Sequence, residues 1–327
     1  MNWLNVPNKV YFKRGSMAVA LKELSEVYGF KSAFIVSDAQ LYRDGIVSKV
    51  KNFVLDRGIR TCEFFSLDAV PSFENIRNAM PSMHEFKPDV IIGVGGSAAM
   101  SAAKAMWLLY ENPDLDLNDA AKKFKVAKAG DASFPETGNK AQLVLVSTKP
   151  GSGAECTPYS VLTDDKGKKC VITGYNLLPV IAVIDANFAL NTSRIQMRDA
   201  GLTVLTQAVR AYLAPTSTDY VKGFCKDAII RIIENLPVAV EKGAAAPEAV
   251  ENVVNASAIA GMAVGNAQHT IDPEAVWYPT HEEKSPDAAT KAQLVELAKS
   301  VGIFGKTDDE LFDAWIDACA KLHRLKA

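Results

Sequence analysis

The strongest constraint on this chain is the run Asp89-Val-Ile-Ile-Gly-Val94, which passes straight into Gly95-Gly96-Ser97 and then a helical stretch through Tyr110. A strand with no polar face must be covered on both sides, which happens where helices pack against both faces of a parallel sheet. Apolar strands over residues 9–12, 32–36, 60–65, 142–146 and 180–184 alternate with helical stretches over 18–28, 45–57 and 73–86. That alternation predicts an α/β fold with a Rossmann-like parallel sheet. Val161–Thr163 and Val171–Thr173 read as a hairpin around Asp164-Asp-Lys-Gly167, and residues 112–140 read as a polar excursion. Beyond Asp185 the apolar period changes from 2 to 3.6, predicting helices over 198–213, 219–242, 247–267, 285–301 and 308–326. Two domains are expected, an α/β domain over 1–186 and an all-α domain over 187–327.

The 327 residues are 48% hydrophobic and 23% charged, a balance that excludes a disordered or fibrous chain. The net charge of −2 argues against nucleic-acid or anionic-membrane partners. Five scattered cysteines with no C-x-x-C pair fit reduced thiols rather than a disulfide framework or zinc knot. The N-terminus lacks the basic and apolar regions of a signal peptide, and no apolar run is long enough to span a membrane. A cytoplasmic protein is expected.

The glycine turn is the first candidate site. A strand, glycines and a helix start present unpaired N–H groups and the positive helix end to a pyrophosphate. The plainer reading is a tight turn with no ligand. Asp38, at the end of the second strand, is placed to meet ribose hydroxyls, and equally to cap a helix. Lys104, two turns into the helix, is expected along the surface. Thr148 and Gly151-Ser152-Gly153 form a second glycine-rich loop, whose plainer reading is a turn between strands. His84, His269, His281 and His323 form no metal motif, although His269 and His281 flank Asp272 and Glu282.

Taken together, the segments Val10–Ser16, Phe86–Ile92 with its glycine turn, Lys104–Pro113, Gly151–Pro158, Val161–Asp164 and Ile181–Asn187 resemble the iron-containing (group III) alcohol dehydrogenases. The likeness is strongest to the alcohol dehydrogenase half of bifunctional aldehyde–alcohol dehydrogenase. It implies a nucleotide-binding α/β domain followed by a helical domain, and an NAD(P)-linked alcohol or aldehyde oxidoreductase. By resemblance Asp38 is the ribose-binding acid and Gly95, Gly96 and Ser97 form the pyrophosphate loop. Thr148 and Ser152 belong to the second cofactor loop, and Lys169 lies near the nicotinamide.

The departures change that expectation. The third glycine of the family turn is Ser97 here, and an aspartate further on is Ser101, which implies weakened NAD binding. Where the family places an aspartate and a histidine one helical turn apart, this chain has Thr203 and Gln207, both neutral. The family's histidine-rich helices give way to the acidic stretch 272–287. These losses lead to the expectation that no metal is bound, that the metal site is degenerate, and that the protein is inactive or serves in binding or assembly. The alternative is an active NAD-dependent alcohol dehydrogenase with a rebuilt or metal-independent site. A short-chain alcohol or aldehyde, and a homodimer or an assembly with a homologous dehydrogenase, are the expected partners.

Overall fold

The computed structural model describes residues 3–126, 133–267 and 286–326. The strands of the first half are β1 (Lys9–Phe12), β2 (Ser32–Val36), β3 (Arg60–Phe64), β4 (Val90–Gly95), β5 (Gln142–Ser147), β6 (Tyr159–Thr163), β7 (Lys169–Thr173) and β8 (Ile181–Ile184). Its helices are α1 (Ser16–Glu26), α2 (Ala39–Arg43), α3 (Ile46–Leu55), α4 (Phe73–Phe86), α5 (Ser97–Glu111) and α6 (Leu117–Lys123). Six strands form one parallel sheet in the order β1-β8-β5-β4-β2-β3, and β6 and β7 form a separate antiparallel hairpin.

The continuous apolar strands are buried on both faces, as their sequence requires. β2 and β4 have no residue outside the buried class. On one face Ala20, Leu21 and Leu24 of α1 and Val47, Val50 and Val54 of α3 pack on Ile35, Ile92, Val144 and Val183. On the other, Phe73, Ile76 and Met83 of α4 and most of α5 pack on Phe34, Ile91, Leu143 and Leu145. From β2 the chain crosses by α2 and α3 to β3 on one flank, then returns by α4 to β4 on the other. The reversal leaves a crevice outside the carboxyl ends of β2 and β4, where open α/β sheets take ligands.

The helical part holds α7 (Arg194–Leu213), α8 (Asp219–Lys242), α9 (Pro247–Asn266), α10 (Ala288–Ser300) and α11 (Asp308–His323). Its core joins Val204, Leu205, Ala208 and Val209 of α7 to Ile229, Ile232 and Leu236 of α8 and Val250, Val253 and Val254 of α9. α7 starts four residues before the apolar periodicity, because Ser193 caps it by accepting from Gln196 N at 3.3 Å. The polar excursion contains α6, whose Leu117 and Ala120 are buried against the α4–α5 face. Among the described residues no helix is long and apolar enough to cross a membrane.

Candidate functional site

The crevice is built from the exits of β2, β4 and β5. Asp38 follows β2 and caps α2, its Oδ1 accepting from Leu41 N at 2.9 Å. The cap reading therefore holds, and one carboxylate oxygen is spent on it. The other faces the glycine turn: a Cβ built on Gly95 would lie 3.8 Å from Asp38 Oδ2 and 2.8 Å from the Ala99 methyl. Gly95 is thus glycine because of Ala99 and a φ of +151°. Gly96 is the N-cap of α5 with no side-chain cap, and Ser97 is the exposed first residue of that helix. The first N–H groups of α5 are consequently uncapped and open to an anion. Thr148 N donates to Gly95 O at 3.1 Å, which ties the exit of β5 to the turn. Asp38, Gly95, Gly96, Ser97 and Thr148 come together.

The second glycine loop is more than a turn. Gly151 N and Gly153 N both donate to Ser257 Oγ on α9, at 2.9 and 3.1 Å. A Cβ on Gly153 would collide with Ser257 O and with Gly261, and one on Gly261 would collide with Gly153 O. The glycines let two backbones touch, and so dock the loop onto the helical part. Ser152 is half-buried there, its Oγ accepting from Ala154 N at 3.3 Å. Lys169 is placed by the hairpin, paired with Thr163, whose N–H donates to Pro71 O at 2.9 Å between β3 and α4.

Lys104 overturns its sequence expectation. It lies not along the surface but in the interior, with 0% exposure. Nζ donates to Ala154 O (2.7 Å), Thr157 O (2.5 Å) and Tyr159 O (3.0 Å), pinning the segment that follows the second loop. Burial pulls the Lys104 pKa down to about 7, against the charge of Glu155. Burial likewise pushes Glu155 up to about 7, and its Oε1 has no hydrogen-bond partner among the described residues. One turn before Lys104, Ser101 Oγ accepts from Val161 N at 3.1 Å and Ser101 O accepts from Ser160 Oγ at 2.7 Å. α5 is therefore fastened to the hairpin at two positions on one face.

On α7, Ala200 lies against the second loop, its Cβ 3.7 Å from a Cβ built on Gly151. Thr203 and Gln207 continue that helical face one and two turns on. Thr203 Oγ1 donates to Asp199 O at 2.9 Å, while Gln207 Oε1 is buried without a partner among the described residues. A hydroxyl engaged with its own helix and a neutral amide oxygen are poor donors for a divalent transition metal. Among the described residues no group of three or more His, Cys, Asp or Glu is arranged to hold one. These residues alone do not fit the ion. His269, His281, Asp272 and Glu282 lie outside the described residues.

The sequence profile described as iron-containing alcohol dehydrogenase matches residues 7–186, more than half of the chain. The chain belongs to the iron-containing alcohol dehydrogenase family. The profile of the Fe-containing family's C-terminal part matches residues 198–277. A bifunctional aldehyde-alcohol dehydrogenase of Escherichia coli K12 is 35% identical over 268 residues, covering 82% of this chain and 30% of that protein. An aldehyde-alcohol dehydrogenase of Clostridium acetobutylicum is 33% identical over 358 residues, covering all of this chain and 41% of that protein. The chain thus spans well under half the length of these relatives. The crystal structure of a 1,3-propanediol oxidoreductase superposes with a TM-score of 0.82 at 23% identity, covering 98% of this chain and 86% of that one. That likeness confirms the α/β-then-helical fold.

Family membership corrects one expectation. The substitutions Thr203 and Gln207 lead from the sequence to a protein with no metal. That inference does not stand, because the family matched in both halves is defined by iron, and iron with NAD(H) is what membership implies. Two missing side chains on one helix are too few to decide the cofactor of a site that several segments build.

Proposed function

We propose that this chain is an NAD(P)-linked alcohol or aldehyde oxidoreductase by descent, with a working dinucleotide crevice and a degenerate metal site. On this reading it turns over simple alcohols poorly or not at all, and acts chiefly in binding or assembly. The observation that carries the first half is the meeting of Asp38 Oδ2 with the uncapped Gly95–Gly96 turn at the reversal of strand order. Asp38 would take the ribose hydroxyls, the first N–H groups of α5 the pyrophosphate, and Thr148, Ser152 and Lys169 the remainder of the cofactor. When bound, the nicotinamide supplies hydride transfer. The chain's own contribution is to hold it in a crevice beside the second loop, which is locked to α9 through Ser257.

Thr203 and Gln207 support the second half. Neutral oxygens in place of carboxylate and imidazole hold an ion loosely, and a poorly held Lewis acid forfeits several kcal/mol of transition-state stabilisation. Short-chain alcohols or aldehydes as ligands, a homodimer or an assembly with a homologous dehydrogenase, and a cytoplasmic setting belong to the same proposal. The aldehyde-alcohol dehydrogenases among the relatives support the ligands, and the five free cysteines support the setting. The second reading is an active dehydrogenase with a site rebuilt around His269 and His281. It is favoured by the family's C-terminal match running through residue 277, which takes in His269.

Calorimetric titration with NAD+ and NADP+, followed by turnover of ethanol and acetaldehyde with added Fe2+ or Zn2+, tests the proposal. Saturable dinucleotide binding with turnover orders of magnitude below an active homologue is expected. Thr203→Asp with Gln207→His should not restore turnover, since a catalytic site needs about three protein ligands. Robust turnover by wild type would establish the second reading. Failure to bind any dinucleotide would end the first.

A further inference from the structure

We infer that Lys149 is a pyrophosphate-binding residue of this chain, an ammonium that closes over the glycine turn. The inference rests on the dinucleotide reading above and adds a residue to it. Thr148 is anchored to Gly95, so the next side chain leaves the β5 exit directly above the turn. It folds back across Gly96: a Cβ built there would lie 2.6 Å from Lys149 Cε and 3.5 Å from Nζ. The lysine thus lies in the space that a side chain at Gly96 would occupy.

Charge makes this position informative. The ammonium sits beside the first turn of α5, the positive end of a 15-residue helix that has no acidic residue in that turn. A cation there is disfavoured by the helix dipole. Lys149 is exposed and only its backbone carbonyl is engaged, accepting from Ser147 Oγ at 3.3 Å; its ammonium has no hydrogen-bond or ion-pair partner among the described residues, so no polar contact explains its fold-back. An anion placed between the uncapped N–H groups and the ammonium turns two repelling groups into two partners. A dinucleotide's pyrophosphate carries that charge. Asp38, on the opposite side of the turn, would repel phosphate and accept from ribose hydroxyls, which fixes the direction in which the ligand lies.

The test is calorimetric titration of the full chain with NAD+ and with ADP-ribose, for wild type, Lys149→Ala and Lys149→Arg, at two salt concentrations. Lys149→Ala should weaken both ligands about tenfold, the scale of one charge-assisted contact. Lys149→Arg should retain most of the affinity. Wild-type binding should fall more steeply with salt than that of the alanine variant. Equal or tighter binding by Lys149→Ala would overturn the inference, showing that the side chain covers the turn rather than serving it. Absence of binding by wild type would instead overturn the dinucleotide reading, and this inference with it.

Discussion

Replacing Lys104 with methionine keeps most of the length of the side chain and removes the ammonium that fastens α5 to the segment 154–159. Thr157 O has no other hydrogen-bond partner among the described residues, and Tyr159 O loses a 3.0 Å donor. Ala154 O keeps longer contacts from Thr157 N (3.4 Å) and Thr157 Oγ1 (3.3 Å). Leaving a buried acceptor unpaired costs about 1–3 kcal/mol, so two of them cost roughly 2–6 kcal/mol. Relief from burying an amine returns part of this, leaving a net loss of about 3 kcal/mol. Urea unfolding followed by circular dichroism at pH 7 measures it. Because the pinned segment follows the second cofactor loop, NAD+ affinity should fall as well. A stability loss below about 1 kcal/mol would refute the reasoning, since it would mean the carbonyl cage does not depend on the lysine.

Three further outcomes are expected. Ser257→Ala removes the shared acceptor of Gly151 N and Gly153 N, and should cost about 1–3 kcal/mol in urea unfolding while weakening NAD+ several-fold by calorimetry. Asp38→Asn keeps a good helix cap and loses the carboxylate, so it should weaken NAD+ with an unchanged melting temperature, whereas Asp38→Ala should lower both; equal binding by Asp38→Asn would leave Asp38 as a cap only. Stability should also depend on pH through the buried pair. Lys104 titrates near 7 when folded against 10.5 ordinarily, so its contribution is complete above 10.5 and is lost as pH falls through about 7. Glu155 titrates near 7 against 4.5, so its contribution is complete below 4.5 and is lost as pH rises through about 7. Urea midpoints between pH 5 and 10 should show the wild type gaining stability above pH 7 and Lys104→Met lacking that gain.

The sheet is legible because its information is local. A run such as residues 90–94 has one home, and the glycines after it mark where the strand must turn into a helix. Asp38 and the turn converge because β2 and β4 are adjacent parallel strands, a strand order that alternation alone does not give. Lys104 is not legible in the sequence because its position within a helix says nothing of what surrounds that helix. α5 is apolar on nearly every side, and in a helix covered all round a lysine is buried too. The second loop's partner, Ser257, lies more than a hundred residues away, and no spacing announces it. Lys149 escapes notice for a different reason. Its role depends on which way a flexible side chain folds, and only the space above Gly96 records that.

The central claim is that the crevice outside β2 and β4 holds a dinucleotide, and amide hydrogen exchange with and without saturating NAD+ tests it most directly. The account predicts slowed exchange in the segments 38–41, 95–98 and 148–153, with the first turn of α5 protected most because its N–H groups are uncapped in the free protein. Protection confined to other segments, or none at saturating cofactor, would contradict it.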